Sequence, residues 1–294
     1  MFHLLYALGW IFALFPLRIL YLFSDLFYPI VYYIVGYRKS VVRNNLENSF
    51  PDKTEKELRK IERRYYRFFC DIFIESIHEI HFSDADSKRR FIFVGVDQLQ
   101  EQYNTGKGIM IMTAHYGNWE WGRNFPLFTS EEMPLYQIYK RLSNEQFDKF
   151  MYELRSKYGG INVEKRDLLR SMVKARNEGR QGVYWMISDQ TPAEQKIHHW
   201  TTFLNQDTPV LTGTEQLARK FDYPVFYAEI KRIKRGYYQC TLIPVSLNPS
   251  KTAEFEITDK YMKLLENTIN TAPEYWLWSH RRWKYNHKEK HDRQ

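Results

Sequence analysis

Gly108-Ile109-Met110-Ile111-Met112-Thr113-Ala114-His115-Tyr116-Gly117-Asn118-Trp119-Glu120 is the stretch on which the reading of this chain turns. Its first half is an unbroken apolar run of strand length. A run with no polar alternation suits a strand buried on both faces, as in a parallel sheet. The second half opens on His115. Gly117 supplies a bend, Asn118 is a helix-capping residue type, and Trp119 and Glu120 begin a helix. The pattern therefore predicts strand, loop, helix, with His115 at the carboxyl end of a buried strand. Open α/β sheets place their sites at those strand ends.

His115 and Glu120 lie five positions apart. On one regular helix that spacing is about 500° of rotation, so the side chains would not share a face. A strand-loop-helix junction brings them together instead. A neutral imidazole takes a proton from a hydroxyl at neutral pH. A carboxylate on its other nitrogen fixes the tautomer and stabilises the imidazolium. Glu120 in the first helical turn is favoured as the anion by the helix dipole. No serine or cysteine adjoins the pair, so the activated hydroxyl belongs to a substrate and transfer is direct. The plainer alternative is a surface histidine and glutamate at an ordinary helix start.

The same alternation runs through the rest of the chain after Asp84. Strands are predicted at 91–94, 109–113, 135–139, 182–187, 225–230 and 237–243. Helices are predicted at 97–103, 119–127, 145–158, 168–177, 213–221 and 258–270. This is an α/β class chain with a mostly parallel central sheet flanked by helices. Before it, residues 54–82 read as one helix, with Thr54 and Glu57 forming a capping box. His78 and His81 on that helix read as surface or core residues rather than ligands. No GxGxxG or Walker A pattern occurs, so nucleotide binding has no positive signal.

Residues 1–37 differ in composition, with Arg18 and Asp25 as their two formal charges. They predict an uncleaved membrane anchor, either a short span kinked at Pro16 or a helical pair lying in the interface. The alternative is a buried helix pair of a soluble protein. Arg38, Lys39 and Arg43 follow, which by the positive-inside rule places the remainder in the cytoplasm. Residues 38–294 then form the α/β domain, with a helical lead-in over 38–84 and a basic tail at 285–294. The net charge of +8 and pI near 9.2 point to anionic partners. Aromatic residues make up 17% of the chain, which suits a membrane interface. A mean hydropathy of −0.58 excludes a largely membrane-spanning chain. Cys70 and Cys240 lie far apart, without metal-ligand spacing or a disulfide framework.

Four further blocks stand in order around the His-x4-Glu pair. They are Tyr139-Lys140-Arg141-Leu142-Ser143-Asn144, Val183-Tyr184-Trp185-Met186-Ile187-Ser188-Asp189-Gln190, Phe203-Leu204-Asn205-Gln206 with Thr208-Pro209, and Pro273-Glu274-Tyr275-Trp276-Leu277-Trp278-Ser279-His280-Arg281-Arg282-Trp283-Lys284. Together they resemble the late acyltransferases of lipid A biosynthesis, within the lysophospholipid acyltransferase superfamily. The resemblance runs from about residue 43 to residue 284. It implies transfer of a fatty acyl group from acyl carrier protein to a hydroxyl of a glucosamine-based lipid. It places the enzyme at the cytoplasmic face of the bacterial inner membrane, with no cofactor beyond the donor thioester and no metal.

By that likeness His115 is the general base and Glu120 its orienting carboxylate. Arg141 holds oxyanion or phosphate charge, Asn144 matches a polar position three residues on, and Asp189 belongs to an Asp-Gln block. Asp189 also reads as a simple turn cap. Arg281, Arg282 and Lys284 form either a solvated face or, with Trp276, Trp278 and Trp283, a contact for lipid headgroups or the acidic carrier. Asn205-Gln206 stands where Phe-Gly is more usual, and Lys140 separates Tyr139 from Arg141; both departures bear on acceptor and acyl length. Competing readings are an acyltransferase for a lysophospholipid, glycolipid or amino-acid lipid, and a non-catalytic binder of membrane or nucleic acid. The second has no RNA-binding motif to support it.

Overall fold

The computed structural model describes residues 9–130 and 132–285. The basic tail past Tyr285 and the first eight residues of the expected anchor lie outside that range.

Apolar periodicity builds the amino-terminal helices. α1 (Leu17–Pro29) buries Leu17, Leu20, Tyr21, Ser24 and Tyr28 along one stripe. Its other face exposes Ile19, Leu22, Phe23, Leu26 and Phe27. A π-helical turn, Ile30–Val35, continues it and ends at Gly36. The run Leu17–Val35 is long and apolar enough to cross a membrane by length and composition, and most of it is not buried by the protein. α2 (Lys39–Ser49) follows. α3 (Glu55–His78) starts at Thr54 with the expected capping box, Glu57 bonding back to the Thr54 backbone. α1 lies along α3 rather than projecting from it. Tyr21 donates to Glu75 at 2.6 Å and Ser24 to Asp71 at 2.7 Å. His78 and His81 bond the carbonyls of Ala13 and Trp10, which fixes the preceding turn.

The α/β body then unfolds in order: α4 (Asp84–Arg90), β1 (Phe91–Val94), α5 (Val96–Tyr103), β2 (Ile109–Thr113), β3 (Leu135–Tyr139), α6 (Glu145–Ser156), β4 (Ile161–Glu164), α7 (Leu168–Asn177), β5 (Val183–Ile187), β6 (Trp200–Phe203), β7 (Gln206–Pro209), α8 (Gly213–Phe221), β8 (Val225–Lys234), β9 (Tyr237–Ser246) and α9 (Glu256–Thr271). Seven strands form one sheet in the order β1-β9-β8-β2-β5-β3-β4. β8, β2, β5, β3 and β4 are mutually parallel, and β9 turns back antiparallel to β8. β1 pairs parallel with β9 at the far edge.

The central strand β2 is buried at every residue. Met110 and Met112 face one core, with Met172 of α7, Ala218 of α8 and Tyr261 and Leu265 of α9. Ile109 and Ile111 face the other, with Phe68 of α3, Leu99 of α5 and Trp121. This two-sided burial is the physical content of the unbroken apolar run. It sets the carboxyl ends of β2, β5 and β3 side by side at one sheet edge.

The sequence missed three strands. β4 is only four residues long, Ile161-Asn162-Val163-Glu164, and β6 and β7 form a separate antiparallel hairpin. Its turn, Leu204-Asn205, has positive φ at both residues (49° and 62°), the geometry of a tight two-residue hairpin. Asn205 and Gln206 there bond Ser49 at the end of α2. The predicted helix over 119–127 is instead a chain of 3-10 turns, Trp119–Phe128, containing Pro126. Proline removes a helical donor and clashes with the preceding turn, which disfavours a regular α-helix.

Glu75 joins these layers. Its buried carboxylate accepts from Tyr21 of α1, Tyr238 of β9 at 2.8 Å and Asn118 of the His115 loop at 2.7 Å. Glu75→Leu leaves three buried donors unpaired, and each costs about 1–3 kcal/mol. We expect a loss of about 3 kcal/mol or more in folding stability by thermal denaturation, with faster proteolysis at α1. Unchanged stability would mean that the three donors find other partners.

Candidate active site

The loop after β2 turns sharply because Gly117 sits at φ +58°, where a Cβ would lie 2.7 Å from Ile230. Its N–H donates to the Tyr275 carbonyl at 3.0 Å, and the Leu277 N–H donates to the His115 carbonyl at 3.0 Å. Tyr116 and Trp276 form a bridge between the two segments. The carboxyl-terminal block is thus laid across the loop and holds His115 in place. Asn45 clamps that block from α2, donating to the carbonyls of Trp278 and His280.

β2 and β5 are neighbouring parallel strands, so His115 and Asp189 emerge together. Asp189 Oδ1 accepts from His115 Nδ1 at 2.8 Å. Asp189 Oδ2 accepts from the His115 backbone N–H at 3.0 Å and from Trp276 Nε1 at 2.9 Å. Asp189 is 2% exposed. Burial pushes its carboxyl up, but the charge and hydrogen bond of His115, with Trp276, outweigh burial and hold it below its usual value. Burial likewise pulls the His115 imidazole down. Asp189, with the field of Glu120, outweighs this and leaves it above its ordinary value.

With Nδ1–H donated to Asp189, Nε2 carries the lone pair. The Gln190 side-chain amide lies 3.2 Å from it and donates there. Trp119 packs edge-on against the imidazole at 5.0 Å. In its neutral form the imidazole is a base with an anion behind it and one hydrogen-bond donor in front.

The carboxylate on the imidazole is therefore Asp189, where the sequence predicted Glu120. Glu120 turns instead to Arg155 of α6 and to Arg123, each at 3.4 Å. The reason is local: Asn118 does not cap a helix but reaches Glu75, and the 3-10 turns carry Glu120 toward α6. Glu120 acts on His115 through its field alone. Burial raises its carboxyl, and Arg123 and Arg155 more than reverse this. Arg123 also faces Glu79 at 2.9 Å, without hydrogen-bond alignment. Burial pushes Glu79 up to about 7 against the pull of Arg123.

Arg141 and Asn144 lie at the same sheet edge, after β3, but do not bond to the His115 pair. Arg141 is exposed and faces Asp148 at 3.7 Å. Asn144 caps α6, accepting from the Phe147 N–H at 2.9 Å. The cations that reach Glu120 are Arg123 and, from α6, Arg155, and the sequence reading singled out neither. Helical spacing from the cap at Asn144 was the available signal for Arg155.

Arg282 is a second correction. It was read as solvated or as a headgroup contact, yet it is 1% exposed, as Trp276 and Trp278 are buried beside it. Thr191 donates to its carbonyl at 2.6 Å and ties it to the Asp189 loop. Its guanidinium nitrogens are buried with no hydrogen-bond partner among the described residues. Burial pulls it down to about 10, opposed by the charge of Asp189 and by Tyr261. Arg281 and Lys284 remain exposed. No group of three or more His, Cys, Asp or Glu side chains among the described residues has a metal-binding arrangement.

His115 should titrate above the ordinary histidine value of about 6.5. Asp189→Asn removes the anion that favours imidazolium, so the midpoint should fall. Histidine-selective NMR titration of the two proteins measures this. An unmoved midpoint in the variant would detach Asp189 from the imidazole.

The family model for bacterial lipid A biosynthesis acyltransferases matches residues 1–285. A lipid A biosynthesis lauroyltransferase of Escherichia coli (strain K12) is 25% identical over 96% of this chain and 93% of its own length. A lipid A biosynthesis palmitoleoyltransferase of the same strain is 25% identical over 96% and 92%. A lipid A biosynthesis acyltransferase of Haemophilus influenzae is 21% identical over 82% and 74%.

Proposed function

The chain belongs to the bacterial lipid A biosynthesis acyltransferases, and on that premise we propose that it moves a fatty acyl chain from an acyl-carrier-protein thioester to a hydroxyl of a lipid A precursor. The class of reaction, acyl transfer, follows from membership. The donor, the acceptor and the residues that act are the proposal. The observation that carries it is the His115–Asp189 pair at the ends of adjacent parallel strands.

In this reading the acceptor hydroxyl displaces the Gln190 amide from His115 Nε2. Nε2 takes the hydroxyl proton as the oxygen bonds to the thioester carbonyl carbon. Asp189 stabilises the imidazolium. The freed Gln190 N–H turns to the carbonyl oxygen, which gains charge as the tetrahedral centre forms. The C–S bond then breaks, and the imidazolium returns its proton to the departing thiolate. Glu120, held by Arg155 and Arg123, favours the imidazolium through its field. The residues balance every proton without a metal or cofactor.

The exposed apolar face of α1 supports a location at a bilayer, on this reading the cytoplasmic face of the inner membrane. In this reading α1, bonded along α3, lies in the interface. The expected basic surface for the acidic carrier protein fits the net charge of +8. The Asn205-Gln206 departure sits in the hairpin turn on Ser49 and bears on stability of that contact rather than on the base.

Purified full-length protein, acyl-carrier thioester and glucosamine disaccharide lipid, with product read by mass spectrometry, test the reaction; lysophospholipid in place of the disaccharide tests the acceptor. His115→Ala should cost roughly 10² to 10⁴ in turnover. Asp189→Asn should cost as much, and Glu120→Gln less, since it touches no reacting atom. A folded His115→Ala protein with more than about half of normal turnover would remove His115 from the base role.

A further inference from the structure

A cleft of about 630 Å³ opens between α1, α3 and the β8–β9 hairpin. Four arginines enter it: Arg64 and Arg67 from α3, Arg232 and Arg235 at the end of β8. Three carboxylates, Asp25, Asp71 and Glu274, face them. The pairing is incomplete. Asp71 is shared between Arg232 at 2.8 Å and Arg235, and Asp25 pairs with Arg235 at 2.7 Å. Glu274 meets Arg64 only at 3.4 Å. Arg67 lies over the Tyr28 ring at 5.0 Å and has no ion pair among the described residues. Arg232 Nε is buried without a hydrogen-bond partner there.

The location gives this surplus a direction. Asp25 and Tyr28 of α1 line the cleft, and the outer face of the same helix exposes Leu22, Phe23, Leu26 and Phe27. Cations next to an apolar, aromatic-flanked face lie at the depth of lipid headgroups. The cleft also shares a wall with the site. β8 runs parallel to β2, and Tyr275, which lines the cleft, accepts the hydrogen bond from Gly117 two residues past His115.

We propose that this cleft binds a phosphomonoester on the headgroup of the acceptor lipid and so sets which hydroxyl reaches His115; this rests on the reading of the acceptor as a lipid. Guanidinium forks match phosphate oxygens in paired hydrogen bonds. A phosphomonoester offers three terminal oxygens and up to two charges, enough to engage arginines converging from both α3 and β8. A carboxylate offers two oxygens and one charge.

The test uses full-length protein and Arg64→Gln/Arg67→Gln, both changes being at exposed positions away from the base. Flotation compares phosphatidylcholine vesicles carrying phosphatidic acid, a phosphomonoester, with vesicles carrying phosphatidylglycerol at matched surface charge. The wild-type protein should prefer phosphatidic acid by about tenfold, the scale of one charge-assisted hydrogen bond, and the variant should bind both alike. A preference retained in the variant, or an equal loss on both vesicles, would overturn the proposal. Inorganic phosphate equimolar with the lipid phosphate should not displace the protein; displacement would assign the cleft to the free ion. In turnover, the variant should raise KM for the phosphorylated acceptor, leave kcat and the donor KM unchanged, and match wild type on dephosphorylated acceptor. Vesicle preference is measured without acyl donor, so it decides the cleft even if the acyl-transfer reading fails.

Discussion

A carboxylate buried to 2% exposure, Asp189, holds the site together. An unpaired buried anion costs several kcal/mol, so its three donors must all stay in place. They come from His115 twice and from Trp276. β2, β5 and the carboxyl-terminal segment are therefore locked in one geometry. The same three bonds set the imidazole tautomer, so the packing constraint and the chemical one are a single constraint. Arg282, buried close enough for its charge to act on Asp189, adds a cation to this centre without spending a hydrogen bond on it.

Glu75 plays the matching role beside the apolar helix α1. It collects Tyr21, Tyr238 and Asn118, so the apolar helix, the back of the sheet and the His115 loop move as one. An enzyme whose acceptor sits in a bilayer needs its base at a fixed height above that surface. On the proposed reading, α1 docked on α3 supplies this more directly than a helix on a flexible tether. The arginine cleft adjoins Glu75, since Asp71, which lines it, lies one helical turn before Glu75 on α3.

Much of this was legible in the chain. β2 was readable because a strand buried on both faces has no polar alternation to obscure it, and Leu168–Asn177 and Gly213–Phe221 because their apolar stripes repeat at helical spacing. β4, β6 and β7 were not: each is only four residues long, β4 finds its partner β3 across the whole of α6, and β6 and β7 pair only with each other, outside the main sheet. The His115 position followed from strand and bend. The choice between Glu120 and Asp189 did not, because nearness in sequence favours Glu120, whereas the order β2-β5 brings a residue 74 positions away against the imidazole. Burial of Arg282 was hidden for a similar reason. Only the crossing of the last segment over the His115 loop turns Arg282 inward from an otherwise exposed basic run.

Among the described residues, no side-chain nucleophile stands beside the base. Ser188 is buried and turned to Thr214, and Cys70 and Cys240 are buried, with burial pushing both thiols up. Direct transfer from thioester to lipid hydroxyl is therefore the central claim. Intact-protein mass spectrometry tests it when enzyme and acyl-carrier thioester are mixed first without acceptor, then with it. The expected result is an unmodified protein mass throughout, with acylated lipid forming once the acceptor is added. A protein heavier by one acyl group, which returns to its starting mass as lipid product forms, would contradict it.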